Sequence, residues 1–232
     1  MDAKGPIIRA RGLTRIYPLG ESEVVGLGGI DLTISPGEIV VLKGNSGSGK
    51  STLLSLLGGL DRPTRGDLWV GGVDLVNTPP RTLTRFRRQV VGMVFQSFNL
   101  LPTLSVIENV CLPAHLAGHA ADRTRTRARG LLEDLQLGAR LHHRPYQLSG
   151  GEMQRTAIAR ALINNPLIIL ADEPTGNLDT RNGQIVIEVL VRLTRGKGHT
   201  LVIATHSTLA DAWASRQICL KDGIITEGIC DI

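Results

Sequence analysis

Ile39-Val40-Val41-Leu42-Lys43-Gly44-Asn45-Ser46-Gly47-Ser48-Gly49-Lys50-Ser51-Thr52 is the stretch whose reading decides the fold. Its opening run, Ile39 to Leu42, is continuously apolar, as expected of a strand buried on both faces. Glycines follow at once, and Ser51–Leu60, rich in leucine, reads as a helix. Gly44 to Ser51 matches the pattern G-x-x-x-x-G-K-[ST] between that strand and that helix. Glycines permit backbone conformations in which successive N–H groups point at phosphate oxygens. The helix start near Gly49 aims its positive dipole end at the same anion. Lys50 is expected to reach the β- and γ-phosphates and the Ser51 hydroxyl to ligate Mg²⁺. The expected ligand is therefore Mg²⁺-ATP, held from Gly44 to Thr52.

Outward from the loop, Ile30–Ile34 and Glu38–Lys43 read as strands separated by Ser35-Pro36-Gly37. Asp67–Val70, Val73–Val76 and Val90–Phe95 read as further strands. Helical periodicity then takes over in Ser105–Leu116, Asp122–Leu137 and Gly151–Ile163. Strands return at Leu167–Asp172, Thr200–Ala204, Gln217–Leu220 and Ile224–Thr226, with a helix over Asn182–Leu193. Strand–helix–strand alternation predicts a mostly parallel α/β sheet. The helical block reads as an insertion, giving one domain over 1–232, with a core from 1–95 and 166–232 and an inserted subdomain from 96–165.

Composition narrows the class. The chain has 232 residues, 42% hydrophobic and 20% charged, which is globular. Aromatics are only 3%, so the core must be aliphatic. The net charge of +5 suits nucleic acid, an anionic surface or a nucleotide, and does not choose among them. Three cysteines, Cys111, Cys219 and Cys230, form no Cys-x-x-Cys pair and argue against a disulfide framework or a zinc site. No signal-peptide core and no run of roughly 20 apolar residues is present, so the chain is expected to be soluble and cytoplasmic by itself. The basic runs Arg81–Arg88 and Arg123–Arg129 read as exposed faces, either of which could favour an anionic membrane surface.

A phosphate loop needs a metal-holding acid and a means of activating water. Leu167-Ile168-Ile169-Leu170-Ala171-Asp172-Glu173 offers both at the end of one apolar strand. Ligands of open α/β sheets sit at that edge. Asp172 is the expected Mg²⁺ partner, directly or through water, and Glu173 the expected general base. By itself the pair also reads as an acidic turn before Pro174. Farther back, Ser149-Gly150-Gly151 opens a helix and forms a second anion-binding turn. Alone it would be an ordinary serine cap. Beside a phosphate loop it suggests that each chain offers this turn to the ATP held by another.

With these motifs in place, the chain resembles the nucleotide-binding subunit of ATP-binding cassette (ABC) transporters over essentially its full length. Leu148–Arg155 is similar to the family's signature motif, Gln96 to the Q-loop glutamine, Gly176–Asp179 to the D-loop and His206 to the switch histidine. Tyr17 resembles the aromatic residue that stacks on adenine. The resemblance implies the P-loop NTPase core with an N-terminal antiparallel β subdomain and an inserted α-helical one. It also implies a head-to-tail homodimer around two ATP molecules. Ser149, Gly150 and Gly151 of one subunit would face the γ-phosphate on the other, His206 would contact that phosphate, Gln96 the metal and lytic water, and Asp179 would couple the two sites. Glu152 stands where Gln is commoner, and Ser207 where Asp commonly follows the histidine.

The segment Gly92–Ser105 lies where the family receives a coupling helix from a membrane permease subunit. Its wording, with Glu173–Asp179, is similar to the lipoprotein-release and macrolide-export branch (the LolD and MacB types). The resulting expectation is an ATPase on the cytoplasmic face of the inner membrane, peripheral through its membrane subunit, with no nucleic-acid partner. The competing expectation is a soluble ABC ATPase acting on nucleic acid or ribosomes, supported only by the basic charge. A third is control of cell-wall hydrolysis through a transporter-like membrane partner.

Overall fold

The computed structural model describes residues 5–20 and 22–226. The chain begins with two long antiparallel strands, β1 (Ile8–Leu19) and β2 (Ser22–Ile34). The loop strand β3 (Ile39–Lys43) and helix α1 (Lys50–Leu57) follow, then β4 (Arg65–Val70) and β5 (Val73–Asp74). Helix α2 (Pro80–Gln89) leads to β6 (Val91–Val94). Next come α3 (Val106–Leu116), α4 (Ala121–Asp134) and α5 (Gly150–Leu162), with no strand before β7 (Ile168–Asp172) among the described residues. Helix α6 (Thr180–Arg195), β8 (Thr200–Ala204), β9 (Arg216–Lys221) and β10 (Ile224–Thr226) complete the order.

Two sheets result. The N-terminal one is antiparallel in the order β2-β1-β4-β5, and the larger runs β10-β9-β3-β8-β7-β6. Strands β9, β3, β8, β7 and β6 are parallel, with β10 antiparallel at one edge. This is the expected α/β fold with an antiparallel β subdomain and an inserted helical one. Continuous apolar runs are buried on both faces of the large sheet. Ile39, Val41, Ile169, Ala171, Leu201 and Ile203 pack towards α3–α6. Their alternates, Val40, Leu42, Ile168, Leu170, Val202 and Ala204, join α1 and the antiparallel sheet. Each fully buried Val, Leu or Ile side chain there contributes roughly 1.5–3 kcal/mol.

The structure extends the sequence reading in two places. The antiparallel subdomain begins at Ile8, well before Ile30. The Arg81–Arg88 cluster lies on α2, whose only buried residues are Leu83 and Phe86. The cysteine reading needs correction: Cys111 is a buried free thiol, but Cys219 is disulfide-bonded. Cys230 lies outside the described residues. No described helix is long and apolar enough to cross a membrane.

Candidate active site

Parallel register gathers the site along one sheet edge. Leu42 pairs with Ala204, Ala204 with Asp172, and Val94 with Ala171. The residues that follow these strand ends therefore emerge side by side. They are the phosphate loop, Glu173, His206 and Gln96. An open cleft of about 700 Å³ collects them, lined by Asn45 through Thr52, Gln96, Glu173 and His206, with Tyr17 and Val24–Gly26 forming its other wall.

Gly44, Gly47 and Gly49 have φ of 147°, 80° and 102°, the conformations that a loop of inward-facing N–H groups requires. A Cβ on Gly44 would stand 2.2 Å from the Leu220 carbonyl oxygen, and one on Gly49 2.6 Å from that of Gly26. Gly49 then gives way to α1, whose first turn points into the cleft. Lys50 Nζ donates to the carbonyls of Gly44 (2.7 Å) and Asn45 (3.0 Å), spanning its own loop. The loop is thus a cradle for an anion, with its cation already inside.

The Ser51 hydroxyl donates to Asp172 Oδ1 at 3.0 Å. Two oxygen donors side by side beneath a phosphate cradle fit a hard divalent cation. Burial raises the Asp172 carboxyl above the ordinary aspartate value; the Ser51 hydrogen bond opposes this, the Glu173 charge adds to it and Lys50 opposes it. Glu173 has φ of 42°, a left-handed conformation for a non-glycine residue at the strand's exit. Its Oε1 lies 3.1 Å from His206 Nδ1, and its Oε2 accepts from the His206 backbone N–H at 3.4 Å. Gln96 is tied to Asn177 in both directions, through Nε2 to Asn177 Oδ1 (3.4 Å) and from Asn177 Nδ2 to its own carbonyl (3.0 Å).

The turn at Ser149–Gly151 lies elsewhere. Ser149, Gly150 and Gly151 do not line the cleft. Ser149 caps α5 in a capping box with Glu152, whose Oε2 accepts from Ser149 N at 2.8 Å. Glu152 Oε1 accepts from Arg140 Nε at 3.0 Å. Those bonds, the Ser149 backbone first, hold the Glu152 carboxyl below its ordinary value, with burial opposing. They also account for Glu where Gln is commoner, because an anion serves both donors. Asp179, likewise outside the cleft, caps α6 through Asn182 N (2.9 Å). A Cβ on Gly151 would lie 3.1 Å from Asn182 Oδ1, so the two helix starts abut within the chain.

Sequence reasoning missed the support beneath Tyr17. Its hydroxyl donates to Asp61 Oδ2 (3.0 Å), the same oxygen that accepts from Arg15 Nε (2.8 Å). The Arg15 guanidinium stands over the Tyr17 ring at 4.4 Å. Gly26 lets the ring lie close, since a Cβ there would stand 2.8 Å from Tyr17 Cε2. Asp61 is 44 residues from Tyr17 in the chain, and only the aromatic residue carried a signal.

The family model described as "ABC transporter" matches residues 27–176. The chain belongs to the ABC transporter family. This ABC cassette is 48% identical over 221 residues to the macrolide export ATP-binding/permease protein MacB of Rhodopseudomonas palustris, covering 95% of the chain and 34% of that relative. It thus spans about a third of the length of the macrolide-export relatives it matches. An uncharacterized ABC transporter ATP-binding protein of Thermotoga maritima is 50% identical, with 93% of this chain and 91% of that one covered. Among solved structures, the ATP-binding cassette MJ0796, described as dimeric, in a post-hydrolysis state and bound to ADP and Pi, superposes with a TM-score of 0.88. The identity there is 40%, over 95% of this chain and 97% of that one. The family makes this chain an ATP-hydrolysing cassette.

Proposed function

We propose that this cassette is the ATPase subunit of a bacterial inner-membrane export or extraction complex of the macrolide-export or lipoprotein-release type. It works as a homodimer with two Mg²⁺-ATP between its copies, on the cytoplasmic face, held there by an integral membrane permease. The observation that carries this reading is the separation of the two anion-binding turns. The phosphate loop lines the cleft with Gln96, Glu173 and His206, whereas Ser149–Gly151 does not. A second copy brings its own Ser149–Gly151 to the open side of the cleft. In this reading 96–165 is the subdomain that carries the signature turn, and 1–95 with 166–232 is the core that holds the nucleotide.

The loop N–H groups and Lys50 hold the β- and γ-phosphates, and Ser51 with Asp172 would hold Mg²⁺. When bound, the ion neutralises charge on those phosphates. Glu173 takes a proton from the attacking water, and His206, which neighbours Glu173 at hydrogen-bond distance, contacts the γ-phosphate. Gln96 orients the water and senses the metal, and Asp179 links the paired sites. The permease reading is supported by the name of the macrolide-export relatives, ATP-binding/permease protein, of which this chain covers about a third. It is also supported by a groove of about 390 Å³ along α3 and the start of α4, in which Leu104, Ile107 and Leu112 are flanked by Glu108, Asp122 and Arg125.

Glu173→Gln tests the core of this proposal. Turnover is expected to fall about 10²–10⁴-fold, the usual contribution of a general base. ATP with Mg²⁺ is expected to convert the variant from monomer to dimer by light scattering, and ADP is not. A variant that stays monomeric with saturating ATP overturns the sandwich, and one with undiminished turnover overturns the role of Glu173.

A further inference from the structure

Lys43 ends β3 and precedes Gly44, where the phosphate loop begins. Its side chain is only 2% exposed, and no larger side chain is fully buried among the described residues. A charge so placed needs partners. Lys43 finds both beyond β8, donating from Nζ to the Ser207 carbonyl and standing 2.6 Å from Asp211 Oδ1. Ile39 and Val41 of the same strand face the helices α3–α6, so alternation puts Lys43 on that face, beneath the chain leaving β8.

Ser207 directly follows His206. Around them, Thr205 N donates to the Leu42 carbonyl (3.0 Å), Ser207 N to Thr205 Oγ1 (3.0 Å) and Leu209 N to Ser207 Oγ (3.2 Å). His206 is therefore an exposed side chain on a turn fixed from both ends. The Lys43 bond is the side-chain tie that reaches this turn from the phosphate-loop strand. An apolar residue would fill the same space without holding the Ser207 carbonyl. We infer that Lys43 is a positioning residue. With Asp211 it clamps the His206 turn to the strand that carries the phosphate loop, and so fixes the imidazole relative to bound nucleotide. The inference rests on the reading of His206 as a γ-phosphate contact.

The test uses the full chain with Lys43→Met, His206→Ala and both together, measuring kcat, KM, nucleotide Kd and melting temperature. Lys43→Met is expected to lower kcat about ten-fold or more, as small misplacements in an active site do. Nucleotide Kd is expected to change less than about two-fold, because the loop itself is intact. In the His206→Ala background the same substitution is expected to cost nothing further, since the group it positions is gone. Full kcat in Lys43→Met alongside an impaired His206→Ala overturns the clamp alone. A loss that multiplies in the double variant, or a raised Kd with unchanged kcat, also overturns it, by placing the effect in the phosphate loop. Wild-type turnover in His206→Ala removes the reading of the histidine and the clamp with it. Should Lys43→Met fail to fold, Asp211→Asn carries the test from the less buried end of the pair. It is expected to show a smaller kcat loss that His206→Ala again masks, and unchanged kcat there overturns the clamp.

Discussion

At the scale of single residues, the cleft is lined by side chains that their neighbours hold in place. Tyr17 shows this. Its ring is fixed by Asp61 at the hydroxyl, Arg15 on one face and the missing side chain of Gly26 at its edge. A ring held so firmly loses little freedom when a base stacks on it. Tyr17→Leu is therefore expected to raise KM for ATP about 5- to 50-fold, within the range that one base–aromatic stack contributes. Its kcat at saturation is expected to stay near wild type, because a base stack that is equal in ground and transition states changes KM alone. GTP should suffer equally, since every base presents a π-face. A loss of kcat with unchanged KM would show that the ring supports the loop instead of the base. Tyr17, Lys50 and Glu173 were all legible in the sequence because their motifs are local. Asp61, Asp211 and the buried state of Lys43 were not, because each depends on partners brought close only by the fold.

At the scale of elements, legibility followed burial. Strands β3, β7 and β8 are covered on both faces, and their uninterrupted apolar runs announced them. Strand β1 escaped notice because Arg9, Arg11 and Arg15 break up its apolar residues, Gly12 and Pro18 lie within it, and three register shifts interrupt its pairing with β2. Helix α2 escaped because its buried stripe is only Leu83 and Phe86. The tie between α5 and the Gln96 loop was equally invisible. Gln154 donates to the Phe95 carbonyl, and Arg160 to the carbonyls of Phe98 and Asn99, both in left-handed conformation. The helix that begins at Ser149 thus grips the loop that begins at Gln96. Another element boundary yields a pH effect. His199, just before β8, is buried, and its Nε2 has no partner among the described residues. Burial depresses its imidazole below the ordinary value; a bond to the Pro166 backbone opposes this, and Lys197 and Arg127 add to it. Below the ordinary histidine value of about 6.5, the unfolded chain takes up this proton more readily than the folded one. Stability present above that pH is lost as pH falls towards the depressed value. The melting temperature is expected to drop between pH 7 and 5, and to drop less in His199→Asn. Equal slopes in the two proteins would place the acid sensitivity elsewhere.

At the scale of the whole molecule, the phosphate loop opens into the chain's own cleft and the helix start at Ser149 does not. The helix starts at Ser149 and Asp179 abut and are tied to the Gln96 loop. Ser149, Asp179 and Gln96 therefore belong to one connected set of contacts that reaches the cleft at Gln96. Such a set is useful if a second copy reads it, and twofold symmetry makes two equivalent shared sites from one interface. A mixing experiment separates this arrangement from a self-sufficient monomer. Lys50→Ala removes the cation from a chain's phosphate loop, and Ser149→Arg blocks its signature turn. Each variant alone leaves no intact shared site. A mixed pair combines the intact loop of one chain with the intact signature turn of the other. Random pairing makes half the dimers mixed, each with one working site of two, so about a quarter of wild-type turnover per chain is expected if the sites act independently. In a monomeric mechanism, mixing gives only the average of the two variants measured alone. Recovery above that average requires the site to be shared between copies, and its absence would return the whole reaction to a single chain.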